Sequence, residues 1–454
     1  MADILASGEP VSKRQKKSAV AGLSETTSDR LHSEVLHLCA CDGVLLGADG
    51  PFQHAPCALL PYPLPAALFT QAIALAKPFN AMLDKVSRDI PWLTKTVRTT
   101  VEHDPFTRRL LEQLDTVSAE GIAQPLQLSI NRSDYMIDQP SGPSGPARLL
   151  QVELNTISCS FVSLAAKMTA LHTHLLERLA ADVDPSTRDE LAAGRPALAP
   201  VLGGAAAADA AKVGALPPNS SVSGVAMAMA VSHREYEKRH YQPSPSAPPT
   251  KVVVLMVVQP AERNVIDQRG IEYCLWREQQ VPMVRATLSE VHAHAKLISR
   301  QSVRTLVLSG GRFAQPLEVS VVYFRAGYTP NDYPSDDEWN ARLLLERSLA
   351  IKCPSLAQHL YVHPARLDRS TCTCVHAHVH VVYMHMYMSC TCALLLWLHA
   401  VPRCYALLLC VAVVAAAPLI CMPLGRVSSP QRWHKEGATG PCRAWRARGL
   451  LIAQ

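Results

Sequence analysis

Apolar positions change spacing along this chain, and each change predicts an element. Leu68, Ala72, Leu75, Phe79, Leu83 and Val86 recur at three and four, one buried face of a helix entered through Pro61, Pro63 and Pro65. Pro78 sits inside that helix and predicts a kink. A shorter amphipathic helix is predicted over 31–46, ending at Gly47. Asp104 reads as an N-cap with Pro105 at the first helical position. Leu110, Leu111, Leu114 and Val117 form that helix's stripe, and Gly121 ends it. Residues 124–130 predict a strand and 161–181 a helix. The nearly continuous β-branched run KVVVLMVVQ at 251–259 predicts a fully buried strand. After it come a helix at 265–279, a strand at 281–286 and a helix at 289–300. Strands at 305–308 and 317–323 follow, then a helix at 338–352 with Trp339, Leu343, Leu344 and Ile351 inward. This alternation predicts an α/β protein whose second part is a small parallel sheet with helices. Ligands of such sheets bind outside the carboxyl ends of the strands, which here carry 260–264 and 324–328.

Composition marks what lies outside this pattern. Residues 1–30 are polar, carry the basic run Lys13-Arg14-Gln15-Lys16-Lys17 and lack the apolar stretch of a secretory signal. They read as a disordered tail, with a nuclear address as the other reading. Residues 184–250 are rich in Ala and Pro and read as a helical piece plus a flexible linker. Residues 361–454 carry nine Lys/Arg against Asp368 and Glu436, a net +7. The whole chain is +6, which leaves −1 for the other 360 residues and no basis for nucleic-acid binding by them. Eight of the 14 cysteines also fall after 360, and the six scattered before it fit a reducing, cytoplasmic setting.

The chemistry gathers at 131–160, NRSDYMIDQPSGPSGPARLLQVELNTISCS. Two strands joined by a Gly/Pro loop at 140–146 predict a hairpin. Arg132 and Asp134 share one face of the first strand, and Glu153 and Asn155 share one face of the second. Ser158 and Ser160 continue the alternation. Glu-x-Asn offers the hard oxygens that Mg²⁺ prefers, and Arg132 a planar fork for a carboxylate. Spacing alone equally fits a surface ion pair and a solvated strand edge.

NRSDYM followed by VELNTISCSF resembles eukaryotic glutathione synthetase, an ATP-grasp ligase. The resemblance recurs in PAERNVIDQRGIE, VVYFRAGY and WNARLLLERSLAIKCPSLAQHL, and covers roughly 59–360 apart from the Ala/Pro-rich insert. It implies an α+β N-terminal scaffold over 31–183 and a substrate-binding α/β domain over 251–360. It also implies a reaction: ATP phosphorylates the cysteinyl carboxylate of γ-glutamylcysteine, and the glycine amine attacks the acyl phosphate. Glu153 and Asn155 would then hold Mg²⁺ and the ATP phosphates, and Arg132 a substrate carboxylate. Ile157, Ser158, Cys159 and Ser160 would line the dipeptide site, Cys159 as a buried inert thiol. Glu262, Arg263, Asn264 and Gln268 would grip its α-amino and carboxylate groups. Arg325, Gly327 and Tyr328 would close the far side, with Ala326 standing where the family usually has Asp. The family is homodimeric.

Nothing after 360 matches the family's glycine-rich loop, nucleotide lysines or second metal-binding Glu, which implies an incomplete ATP-grasp with little or no ligase activity. No G-x-x-x-x-G-K-[ST] or G-x-G-x-x-G occurs. A non-catalytic γ-glutamyl-peptide-binding module is the alternative from another class. The run TCTCVHAHVHVVYMHMYMSCTCA at 371–393 has the vocabulary of translated dinucleotide repeats, and the tail reads as non-coding sequence rather than a folded domain. Two other readings stand beside that. His376, His378, His380 and His385 with Cys372, Cys374, Cys390 and Cys392 could bind a soft metal, though not at structural zinc spacing. The uncharged stretch 404–424, flanked by Arg403 and Arg426 and interrupted by Pro418 and Pro423, has the length of a tail anchor.

Overall fold

The structure is a computed structural model that describes residues 25–361 and 409–414, apart from 49, 99–100, 102, 141–144, most of 183–215, 242–249 and 301–302. Its centre is a six-stranded mixed sheet ordered β6-β5-β9-β8-β7, with β10 also beside β9. The strands are β5 (Lys251–Val257), β6 (Met283–Ala286), β7 (Ala295–Arg300), β8 (Val303–Gly310), β9 (Phe313–Phe324) and β10 (Ile351–Cys353). β6, β5 and β9 are mutually parallel, as expected; β10, expected as the end of a helix, joins them parallel, and β8, expected in the parallel sheet, extends it antiparallel together with β7. The antiparallel edge follows from Gly310 and Gly311, both at positive φ, which turn β8 directly into β9.

β5 is buried on both faces, so its run shows no polar alternation. Val253, Leu255 and Val257 pack with Val322, Phe324, Trp339 and the stripe of α4 (Pro105–Glu120). Val252, Val254 and Met256 pack with Val321, Tyr323, α6 (Ser221–His240) and α7 (Val265–Gln279). The helical piece of 184–250 is thus a core element, with Val225, Ala226, Met229 and Tyr236 fully buried. Asp104 caps α4 by accepting from Phe106 and Thr107 backbone N–H at 3.0 and 3.2 Å, a contact worth about 1 kcal/mol.

Before the sheet come α1 (Glu25–Asp42), the short strands β1 (Leu45–Leu46) and β2 (Gln53–His54), α2 (Ala66–Arg88) and α3 (Ile90–Arg98). α1 starts six residues before the expected helix and stops at Gly43, at φ +69, rather than at Gly47. α2 runs through Pro78, with Leu68, Ala72 and Leu83 buried and Leu75, Phe79 and Val86 partly so. The strand expected at 124–130 does not form beyond one bridge, Gln127 to Lys352. Pro125 lacks an N–H, and the Gln124 side chain takes the Leu349 carbonyl at 2.5 Å while accepting from Leu126 N.

Two expected helices are shorter than their periodicity. α8 (Leu288–His294) opens with a Thr287–Glu290 capping box and gives way to β7, because 295–300 pairs with β8. α9 (Asp336–Glu346) opens with a Ser335–Glu338 box and ends before Ile351, which is buried as expected but lies in β10. The last described helix is α10 (Leu356–Leu360).

The hairpin forms as expected: β3 (Arg132–Asp138) pairs antiparallel with β4 (Arg148–Asn155), and α5 (Val162–Asp182) follows. Of the tail, only β11 (Leu409–Val414) is described, antiparallel against the other edge of β3. The His/Cys run and the rest of 404–424 lie outside the described residues. Among the described residues no helix is long and apolar enough to cross a membrane.

Candidate functional site

The β3–β4 register sets Arg132 opposite Asn155 and Asp134 opposite Glu153. Beyond Asp134 the register shifts by one, with Tyr135 opposite Gln151, which leaves Val152 as the extra residue. The four polar side chains share one face and bond to one another. Arg132 grips Asp134 through two N–H at 2.8 and 3.0 Å, with Glu153 at 3.9 Å. Asn155 Nδ2 donates to Glu153 Oε1 at 2.8 Å and Asp134 Oδ2 at 3.2 Å. That orientation leaves Asn155 Oδ1 available as an acceptor or ligand. Glu153 keeps 29% side-chain exposure. Two hard oxygens on one face fit the partial protein shell that Mg²⁺ takes when phosphates and water supply the rest. The Asp134 ion pair, one of the two roles open to Arg132 from sequence, is therefore present.

The next turn, 156–160, is strapped to the sheet. Thr156 Oγ1 donates to the Gln358 carbonyl at 2.8 Å, and Ser158 Oγ to the Arg325 carbonyl at 3.0 Å. Ser160 Oγ donates to Ser158 O, and Ile157 packs against the core. Ser158 and Phe161 sit at φ +51 and +63, and Ala261, after β5, at +50. Such backbone strain on side-chain-bearing residues clusters at ligand sites. Cys159 is buried, and burial pushes its thiol up to about 11, partly offset by Arg132 and Arg325, which leaves it protonated and unreactive at neutral pH.

Asp267 binds the site together. Its carboxylate accepts from the N–H of Phe161, Ser163 and Leu164 at 3.0, 2.7 and 3.1 Å, capping α5 from α7. It also receives Arg325 Nη1 at 3.0 Å, in a pair whose side chains are 0% and 2% exposed. Arg325, which the resemblance implied would close the far side of the site, is thus a buried residue paired with Asp267.

After β5, Glu262 accepts from Asn264 N at 2.8 Å and Gln268 Nε2 at 2.6 Å, and Gln268 Oε1 accepts from Arg285 at 2.6 Å. Asn264 Oδ1 is buried without a hydrogen-bond partner. The Arg263 side chain is exposed, away from this group, and its carbonyl instead receives Gly47 N at 2.8 Å. Gly327 is at φ +89, where a Cβ would lie 2.8 Å from Tyr333 Oη. Asp332 Oδ2 gathers the N–H of Gly327, Tyr328 and Thr329 at 3.0, 3.1 and 3.2 Å. Gln259 spans from Asp332 Oδ1 at 2.7 Å to Tyr328 Oη at 3.3 Å. Ala326 is buried, so no acidic contact arises at that position.

Arg132, Asp134, Glu153 and Asn155 thus form one bonded group and Glu262, Asn264 and Gln268 another, while Ser158 and the start of α5 are tied to Arg325 and Asp267. Asp267, Arg285 and Asp332 are the residues that sequence reasoning missed. No local pattern marks them, since their partners lie elsewhere in the chain or on the backbone.

A family model described as eukaryotic glutathione synthase, ATP binding domain, matches residues 25–308. The chain is 36% identical over 309 residues to the glutathione synthetase of Dictyostelium discoideum, covering 68% of this chain and 56% of that protein. It is 34% identical over 342 residues to that of Bos taurus, covering 74% and 61%. A solved glutathione synthetase like-effector of Globodera pallida, in apoform, superposes with TM-score 0.54 at 18% identity over 75% of this chain and 64% of that one, a likeness of fold. The chain spans about half the length of the curated relatives it matches.

Proposed function

Because the chain belongs to the eukaryotic glutathione synthetase family, we propose that its cleft binds γ-glutamylcysteine beside Mg-ATP and serves the ligation of glycine to that dipeptide through an acyl phosphate. The observation that supports this most is that the hairpin register gathers Arg132, Asp134, Glu153 and Asn155, and that Asp267, in the helix that also carries Gln268, caps the helix following the 157–160 turn. Glu153 and Asn155 Oδ1 would hold Mg²⁺, which when bound neutralises phosphate charge during phosphoryl transfer. Arg132 would orient a substrate carboxylate, sharing its guanidinium with Asp134. Glu262, Gln268 and the unpartnered Asn264 Oδ1 would take the α-amino and carboxylate groups of the dipeptide, and Ser158 and Ser160 its flank. Gly327 and Tyr328 would form the far wall. Homodimeric assembly and a cytoplasmic location belong to the same proposal, checked by light scattering and by fractionation.

Titration calorimetry with γ-glutamylcysteine, with and without Mg-ATP, tests the reading, alongside glycine-dependent ADP release. Dipeptide binding tightened by Mg-ATP is expected. Glu262→Gln should weaken it about tenfold, the cost of one charge-assisted contact. Glu153→Gln should abolish the nucleotide effect and spare dipeptide binding. No dipeptide binding in either condition would sink the reading. A second reading is a peptide-binding module without turnover. Dipeptide binding indifferent to Mg-ATP, with no ADP release, selects it.

A further inference from the structure

Outside the cleft, two thiols face each other. Cys39, in the last turn of α1, and Cys57, in the segment after β2, have their sulfurs 3.8 Å apart, and both are free. They sit in a small apolar cluster with Val35, Val44, Ala55 and Leu171, between α1 and α5. Cys39 is fully buried and Cys57 partly exposed. Cys41 is exposed, and two residues along a helix it projects to a different side from Cys39.

We propose that Cys39 and Cys57 form a modification site, a dithiol that closes to an intramolecular disulfide with a low-molecular-weight disulfide as the oxidant. The steps balance as thiol–disulfide exchange. The Cys57 thiolate, the accessible one, attacks one sulfur of the small disulfide RSSR and expels RS⁻. Cys39 then loses its proton and attacks Cys57 Sγ, expelling the second RS⁻. Two protein thiols are oxidised, and one RSSR is reduced to two RSH. Cys39 suits the second, resolving role. Burial, and then the Cys57 sulfur beside it, push its thiol up to about 12, and no small molecule reaches it. The sulfurs need to close to about 2 Å, a shift that Cys57, outside any helix or strand, can supply.

The bond would fasten the base of the β1–β2 hairpin. Leu45 pairs with His54 and Leu46 with Gln53 in that hairpin, and its Gly47 N–H donates to the Arg263 carbonyl beside Glu262 and Asn264. Closing the loop from 39 to 57 restricts the unfolded chain, so the oxidised protein should melt several degrees higher. The inference stands on this cluster alone and is independent of the ligase reading.

The test incubates the full chain with excess glutathione disulfide, quenches with acid, alkylates and maps peptides by mass spectrometry. A Cys39–Cys57 linked peptide that dithiothreitol reverses is expected, with a raised melting temperature. Cys39→Ser should stop at a glutathione adduct on Cys57, and Cys57→Ser should leave Cys39 unmodified. A wild-type product that is only an adduct, pairing of Cys57 with Cys41, or adduct on Cys41 with neither Cys39 nor Cys57 oxidised would each overturn the proposal.

Discussion

Two arginine–aspartate pairs differ in how far water reaches them. Arg132 and Asp134 lie two residues apart on one strand, with side chains 24% and 12% exposed and Glu153 beside them. Arg325 and Asp267 come from different elements, 58 residues apart, at 2% and 0%. The contact distances are alike and the energetics are not. A pair open to water contributes about 0–1 kcal/mol, because solvation and screening compete with it. In a dry pair, losing one partner strands the other charge and costs about 3–5 kcal/mol. The wetted pair can therefore be remade around a ligand, whereas the dry one fixes the framework on which the ligand groups stand.

Replacing Asp267 with Ala is the hardest blow to this contrast. It removes the counter-charge of Arg325 and the acceptor of three N–H groups at the start of α5. Urea unfolding should show a loss of about 3–5 kcal/mol; a loss under about 1 kcal/mol would erase the distinction between the two pairs.

Acid titration asks what burial costs a histidine whose neighbouring carboxylate, Glu237 at 3.4 Å, is itself 39% exposed. His233 bonds Ser320 at 2.7 Å under the sheet, and burial, then Arg234, push its pKa from 6.5 down to about 4. The unfolded chain takes up the proton first, so this stability is complete above about pH 6.5 and is lost as pH falls toward 4. The loss should be on the order of 2–3 kcal/mol across that window. It is read as a fall in urea midpoint between pH 7 and 4.5, and His233→Gln should flatten it.

Gly327→Ala should cost about 1–3 kcal/mol, from a left-handed backbone and a methyl pressed on Tyr333 Oη. A neutral result in the same unfolding assay would mean that the wall bearing Tyr328 yields. Asp134→Asn, at a pair that water only partly reaches, should cost about 1–2 kcal/mol, and a loss of about 3–5 kcal/mol would place the hairpin pair in the same class as the dry one.

These depths also explain what could be read from the sequence. The hairpin quartet is visible there because strand periodicity fixes which neighbours share a face, and register needs only the Gly/Pro turn. Asp104 and Pro105 announce their helix for the same reason. Asp267 gives no such sign. Within its helix it is one polar residue among others, and its partners are assembled by packing of α5, α7 and β9. Residues 295–300 fail differently: their spacing fits a helix, and the open edge of β8 overrides it. Residues 124–130 alternate like a strand, yet Gln124 and Pro125 divert the backbone bonds that a ladder requires. Arg263 shares a motif with Glu262 and Asn264, but loop geometry turns its side chain outward while its carbonyl anchors Gly47.

From Val321 to Tyr323, β9 is bonded to β5 on one side and to β10 on the other, and every residue from Glu318 to Gly327 is buried. Amides clamped from both flanks surrender their protons to deuterium only when the whole domain opens. The strand that leads into Arg325 and Gly327 should accordingly be among the slowest to exchange of the described residues. Any adjustment to an arriving ligand falls to the 260–264 loop, which is held by the Gly47 N–H and by the Gln268 side chain on Glu262 rather than by a strand ladder.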